Sequence, residues 1–231
     1  MQALAPSLRR RVLQEYVDVT LLRDVVERHR ATNVIALRRL VSHLLRSPAC
    51  KLSVHKLYND LRSQGVAVGK DHLHEYLAHL EDACFAFTVP VDSDSERRRA
   101  VVPRKAYLVD PGLAALAAPD ALASMRGHLL ENVVYLELRR RRARVAYHVG
   151  ETGAEVDFVV RHEDGATDLV QVCADPGAED TLARELRGLA DAASAFPKAR
   201  LVMVTLVREG TVSLGRRRVH LVPAWRFLLE R

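Results

Sequence analysis

The stretch that most constrains this chain is residues 153–173, GAEVDFVVRHEDGATDLVQVC. Two apolar runs flank the turn cluster HEDG, so the segment reads as a β-hairpin or strand pair. A period of two puts Glu155, Asp157 and Val159 on one face of the first strand. On the second strand it groups Leu169, Gln171 and Cys173, with Val170 and Val172 on the opposite side. A carboxylate inside VDFVV costs free energy to bury unless a partner or a metal receives it. The strands alone leave two readings open: an aspartate that holds a strand end together, and one that belongs to a chemical site.

A chain of 231 residues can bury a sizeable core and can hold one large domain or two small ones. Its 48% hydrophobic and 28% charged residues are those of an ordinary globular protein. No apolar run approaches the roughly 20 residues needed to span a bilayer, so no membrane partner is expected. The start, MQALAPSLRRRVLQEY, lacks the apolar core and cleavage site of a secretory signal. Cys50, Cys84 and Cys173 are odd in number and far apart, without CxxC spacing. The expectation is a reducing cytoplasm, with neither a disulfide framework nor a cysteine zinc site. The net charge of +6 and pI near 9.5 favour an anionic partner. Residues 1–110 carry 18 Lys+Arg against 13 Asp+Glu and the remainder 17 against 16, so the first half is the better nucleic-acid surface.

Residues 13–30 place Val17, Leu21, Val25 and Val26 at helical spacing. A second helix comes after Asn33, with Val34, Leu37, Val41 and Leu44 on one stripe, and ends at Ser47-Pro48. Ser53 is a natural N-cap for VHKLYNDLRSQ, which Gly65 stops. The next helix, KDHLHEYLAHLEDA, buries Leu73, Tyr76, Leu77 and Leu80 and leaves Lys70, His72, His74, Glu75 and His79 largely outside. FAFTVPV and RKAYLVD read as two strands joined by DSDSERRR. Short helices and then a hairpin with a basic loop have the order of a winged helix-turn-helix, in which a helix enters the major groove and the wing meets phosphates. Lys70, His72 and His74 then lie on the recognition helix, and Arg97, Arg98 and Arg99 at the wing tip. Protein contact by such a fold, and a merely solvated arginine loop, stand beside that reading.

Pro111-Gly112 and Ala117-Ala118-Pro119 mark a domain boundary. The helix HLLENVVYLELRRRRAR is apolar on more than one face, and Glu131 shares a side with Val134, Tyr135 and Leu138. Arg139, Arg140, Arg141, Arg142 and Arg144 complement its C-terminus without any ligand, although phosphate binding also fits. RVAYHVG is a strand, EDTLARELRGLADAA an amphipathic helix with Leu182, Leu186 and Leu189 inward, and ARLVMVTL a strand covered on both faces. RRVHLVPAWRFLLER gives one more strand and a helix with Trp225 and Phe227 inward. The second half therefore reads α-β-β-β-α-β-β-α, an α/β sandwich.

In order and placement, the helix with Glu131, the strand with Asp157 and the strand with Gln171-Val172-Cys173 resemble PD-(D/E)XK nucleases. More narrowly, RDVVERH, NDLRSQGVAVGKDHLHEYLAHLEDA, YLVDPGLA, LLENVVYLELRRR, EVDFVV and LVQVC resemble the C-terminal region of archaeal and bacterial AAA-type ATP-binding proteins. That region carries a restriction-endonuclease-like domain of unknown function. The resemblance covers nearly the whole chain from about Tyr16. It implies an α/β (α+β) fold class: a helical junction over residues 1–32, a winged helix over 33–118 and a nuclease-like sandwich over 119–231.

Two departures shape the functional expectation. Family members begin with a P-loop ATPase, whereas the nearest string here, GVAVGKD, lacks the spacing and hydroxyl of GxxxxGK[ST] and sits between helices. ATP binding by this chain alone is not expected, and Met1 reads as the start of a fragment, a split gene or an adapted remnant. The resemblance also assigns metal binding to Glu131, Asp157 and Gln171 and a charge-stabilising lysine to position 173. Gln171 brings no negative charge and Cys173 no cation. Glu131 and Asp157 remain as a minimal site for a hard cation such as Mg²⁺, with Arg184 as a migrated cation. The expectation is a DNA-binding winged helix with a catalytically degenerate nuclease-like domain. Its alternatives are an active Mg²⁺-dependent nuclease and a docking module for a separate P-loop ATPase.

Overall fold

The computed structural model describes residues 5–150, 152–177 and 179–230. The chain is a mixed α/β protein of two compact units. The first runs to Thr88 and resumes over Pro103–Met125, and the second takes Val89–Val102 and the chain from Arg126 onward.

The first unit opens on α1 (Pro6–Val19), which continues without a break into a π-helical stretch, Thr20–Glu27. Val17, Leu21 and Val25 form its buried stripe. The Asn33 side chain accepts from the Ala36 N–H at 3.0 Å and starts α2 (Val34–Arg46), an N-cap that satisfies one of the orphan amides of the first turn. Then come β1 (Cys50–Leu52) and α3 (Val54–Ser63), which Ser53 caps. The left-handed turn at Gly65, φ +77°, leads towards α4 (Lys70–Asp82). Leu73, Tyr76, Leu77 and Leu80 are buried on α4, as their spacing predicts. β2 (Ala86–Val89) leads to α5 (Glu96–Val101), after which β3 (Arg104–Leu108) and the short α6 (Ala114–Ala117) complete the order. The strands make a three-stranded sheet in the order β1-β3-β2.

Two features of this stretch of chain differ from the sequence reading. CKL forms β1, paired antiparallel to β3 through Cys50↔Ala106 and Leu52↔Arg104; three residues are too few to show a period. The expected basic loop is the helix α5, whose first turn Ser95 caps by accepting from the Arg98 N–H. Its segment belongs to the second unit. Val91 bridges to Tyr147, the Asp92 N–H donates to the Tyr147 carbonyl, and the Arg161 guanidinium grips the Asp92 carboxylate at 2.7 and 3.2 Å. A pairing across such a sequence separation leaves no local signature.

The second unit consists of α7 (Arg126–Arg140), β4 (Arg144–Val149), β5 (Glu155–Arg161), β6 (Thr167–Val172), α8 (Glu179–Ala195), β7 (Arg200–Thr205), β8 (Gly210–Leu214), β9 (Arg217–Pro223) and α9 (Ala224–Leu229). Its sheet runs β4-β5-β6-β7-β9-β8, antiparallel from β4 to β6, parallel from β6 through β7 to β9, and closed by antiparallel β8. Tyr135 of α7 stacks on Phe158, whereas Val159, the next residue, joins Leu189 and Ala192 of α8 in one core cluster. Alternation along β5 therefore puts α7 and α8 on opposite faces of the sheet. β8 has no counterpart in the sequence reading, because GTVSL is too polar and exposed to show a buried strand. Trp225, expected inward, is 53% exposed with the Arg226 guanidinium over its ring, and Phe227 is buried. Among the described residues no helix is long and apolar enough to cross a membrane, and Cys50, Cys84 and Cys173 are free thiols.

Candidate functional site

The site grows from the point where β5 and β6 part. They pair in register from Arg161↔Thr167 to Phe158↔Val170. Beyond it β6 stays with β7 through Gln171↔Met203 and Val172↔Val204, while β5 stays with β4 through Val156↔His148 and Glu155↔Val149. Strands that separate inside a covered sheet leave main-chain groups needing partners. Two side chains supply them. The Asp157 carboxylate accepts from the Val172 N–H at 2.9 Å, and the Gln171 carbonyl oxygen accepts from the Asp157 N–H at 3.2 Å.

The other end of Gln171 is committed as well. Its Nε2 donates to Glu185 Oε2 at 2.6 Å, and Arg184 donates to Glu185 Oε1 through Nε at 3.1 Å and Nη2 at 2.7 Å. A continuous chain thus runs Asp157–Gln171–Glu185–Arg184 from the sheet into α8. Cys173 comes next on the same face as Gln171 and is buried. Burial, and then the Glu185 carboxylate, push its thiol up to about 11, against the opposing pull of Arg184. The group is a neutral thiol at physiological pH. Gly188 brings α8 onto this place: a Cβ there would lie 2.6 Å from the Glu155 carbonyl oxygen.

Asp157, Gln171 and Cys173 are therefore close together, joined by Glu185 and Arg184. Glu131 is buried on α7, one turn before the Tyr135 that stacks on Phe158. The sequence reading overlooked Glu185, although it falls between Leu182 and Leu189 on the inward stripe of α8, and a carboxylate inside an apolar stripe is the signal that could have found it.

In this arrangement Gln171 and one oxygen of Asp157 are committed to partners other than a Mg²⁺ ion. That ion takes oxygen ligands in near-octahedral array and prefers carboxylates. Here the Gln171 oxygen is spent on the Asp157 amide, its nitrogen faces Glu185, and Asp157 Oδ2 holds the Val172 amide.

Of the residues expected to meet nucleic acid, Lys70, His72 and His74 are exposed on α4. Lys70 lies over the Tyr58 ring at 5.7 Å. The same helix carries Asp71, Glu75, Glu81 and Asp82, so its surface is not a cationic one. Arg97, Arg98 and Arg99 lie on α5; Arg98 donates to the Val149 carbonyl and Arg99 to the Ser93 carbonyl, bonds that leave their charges intact. In the run that ends α7, Arg140 and Arg141 both bind the buried Glu137 carboxylate at 2.6–2.7 Å, and Arg141 also donates to the Phe227 and Glu230 carbonyls. Burial would raise the Glu137 carboxyl, but hydrogen bonds from Arg140 and Arg141 outweigh it and hold the group below its usual range. That arginine run therefore has an internal task beyond complementing the helix end.

A family model described as a domain of unknown function (DUF8612) matches residues 2–123, and a second domain of unknown function (DUF4143) matches residues 126–227. The junction falls where the first unit ends and α7 begins. An uncharacterized protein of Methanocaldococcus jannaschii, MJ1544, is 28% identical over 232 aligned residues, covering 96% of this chain. The chain spans about half (51%) of that relative's length. No solved structure matches. With its model covering more than half of the sequence, the chain belongs to the DUF8612 family.

Proposed function

We propose that the chain is a DNA-associated, non-cleaving module: a winged helix followed by a PD-(D/E)XK nuclease-like domain whose site has closed on itself. The observation that carries this reading is the hydrogen-bond chain at the parting of β5 and β6. There Asp157 and Gln171 serve the backbone and each other's strands, and a neutral thiol stands at position 173, where the resembled family has a lysine. Phosphodiester cleavage builds negative charge on the attacked phosphate, and loss of one preorganised charge stabiliser costs about 10²–10³ in rate. The order α2, β1, α3, α4, β2, β3 with strand order β1-β3-β2 supports the winged-helix reading. Contact with phosphate rests on Arg97, Arg98 and Arg99, since α4 offers Lys70 among carboxylates.

Incubation of the chain with single- and double-stranded DNA and Mg²⁺ or Mn²⁺ tests the reading. No cleavage is expected, and the double variant Gln171→Glu with Cys173→Lys should raise activity above background. Cleavage by the unaltered chain that disappears in Asp157→Ala would establish the Mg²⁺-dependent nuclease instead. Duplex binding at about 50 mM salt should weaken when Arg97, Arg98 and Arg99 are replaced by Ala, with a salt slope shallower by about 0.9 for each phosphate no longer neutralised.

A second reading, a docking module for a separate P-loop ATPase, has its own observation. Leu8, Val12, Val19 and Leu22 recur at helical spacing on the N-terminal helix and are 45–53% exposed. The second half of the chain also matches a domain commonly found in AAA-ATPase-associated proteins. Absence of duplex binding, together with capture of a purified ATPase that Leu8→Glu with Val12→Glu abolishes, would favour this reading over DNA.

A further inference from the structure

The first unit holds a cluster that neither the nuclease-like site nor the DNA reading uses. His29, His79 and Asp82 bring one imidazole nitrogen each and a carboxylate oxygen within 4.8 Å of one another. His79 and Asp82 are three residues apart, hence on one face of α4. His29 lies just after the π-helical stretch Thr20–Glu27, which packs against α4. A π turn takes up an extra residue and so shifts the helical phase of the next turn, and such turns occur frequently at functional sites. The chain then leaves the helix at Arg30 in a left-handed conformation, φ +53°.

Two properties separate this cluster from a chance grouping of surface side chains. The Nε2 of His29 is shielded from solvent and makes no hydrogen bond, whereas buried polar atoms ordinarily find partners. The His29 and His79 rings stack with centroids 3.9 Å apart and planes 14° apart, an arrangement that two imidazolium ions would resist by like-charge repulsion. Neutral imidazoles with one carboxylate are the donor set of a borderline divalent ion, with a fourth position left to water.

We propose that His29, His79 and Asp82 bind one divalent transition-metal ion of the Zn²⁺ class, clipping the N-terminal helical segment to α4. Parallel rings do not aim their lone pairs at one point, so binding turns one imidazole out of the stack about its Cβ–Cγ bond. The stack is the metal-free arrangement, and the unpartnered Nε2 is the donor it holds ready. Cysteine spacing gives no hint of this site, because its ligands are histidines from separate segments and no thiol takes part.

Titration of the metal-free chain with Co²⁺, monitored by its visible d–d absorption, tests the assignment. The expected result is one Co²⁺ per chain with the strong bands of a four- or five-coordinate ion, displaced by Zn²⁺, and a melting temperature that rises with added Zn²⁺. His79→Ala should weaken Co²⁺ binding by more than the 10–100-fold typical of losing an outer partner. Asp82 is exposed, so Asp82→Asn tests the site without disturbing the core, and it should also weaken binding and blunt the thermal response. His74→Ala, exposed on the same helix, should leave both unchanged. A Co²⁺ spectrum that stays that of the hexa-aqua ion would overturn the assignment, as would one-to-one binding that survives both His79→Ala and Asp82→Asn.

Discussion

Asp157 and Asp168 stand on the two strands of one hairpin, equally buried at 8% and 7% exposure, and the molecule treats them differently. Asp168 lies where β5 and β6 are fully paired, opposite Val160. Its carboxylate is gripped by Arg200 at 3.1 and 2.6 Å and touched by His162 at 3.0 Å. Asp157 lies one residue past the last ladder pair, and its carboxylate takes the main-chain amide of Val172. One acid decorates an intact sheet and is matched by a side-chain cation, Arg200. The other replaces a missing piece of sheet, so that backbone geometry depends on it. A carboxylate of the second kind can be retained for shape after any chemistry has gone, and this is why its burial does not by itself argue for an active nuclease.

The largest effect that would break this contrast comes from Gly188. A Cβ there meets the main-chain oxygen of Glu155, which cannot swing aside as a side chain would. Gly188→Ala should lift α8 from the Asp157 end, part Glu185 from Gln171 and cost about 3 kcal/mol in denaturant unfolding. An unchanged midpoint would mean that α8 does not set the geometry around Asp157 and Gln171. Asp157→Ala comes next, at about 2 kcal/mol, because it strands the Val172 amide. Asp157→Asn keeps an acceptor oxygen and should recover most of that loss. Equal losses in the two variants would show that the negative charge is what matters there, and the distinction from Asp168 would fall.

Glu137 sharpens the comparison as a third buried acid, held by Arg140 at the end of its own helix and by Arg141 just beyond it. Its carboxyl is depressed on folding, because the arginine hydrogen bonds overcome the burial that comes first among the causes. A depressed acid contributes stability that is present above its unfolded value, about 4.3, and is lost as pH falls through the folded one. Glu137→Gln should therefore cost about 1.5 kcal/mol at pH 7. The two proteins should converge in stability as the medium is acidified below about pH 4. A difference that widens in acid would contradict the assignment.

Much of this arrangement is legible in the sequence because it is local. Helical stripes in α2, α3 and α4 and the caps Asn33 and Ser53 rest on neighbours within a turn or two, and the alternation of VDFVV and LVQVC singles out Asp157 and Gln171 in the same way. What the sequence hides depends on partners far along the chain. Asp168 sits in an apolar run much as Asp157 does, and only the approach of Arg200 makes it an ion-pair residue. The segment that reads as a wing joins the second unit through Asp92 and Arg161. His29 and His79 look like scattered surface histidines until a π-helical turn and an unrelated helix bring their rings together. Glu185 was within reach, since its place on the inward stripe of α8 is a local fact that leucine spacing alone obscured.

The smallest effect belongs to Asp168. Its main partner, Arg200, has a side chain 65% exposed, so solvent and salt screen the pair even though the carboxylate itself is buried. The Arg200 guanidinium gains its raised affinity for the proton first from the Asp168 hydrogen bond, and it stays charged throughout the accessible range. Asp168→Asn keeps the shape and an acceptor for Arg200 while removing the charge, and should cost no more than about 1 kcal/mol at low ionic strength. Raising the salt to about 1 M shortens the screening length to roughly 3 Å and should shrink that difference further. Urea unfolding of the two proteins at both salt concentrations reads the change directly. A loss of several kcal/mol that ignores salt would mean that Asp168, like Asp157, is built into the backbone of the sheet, and the two ends of the hairpin would then be alike.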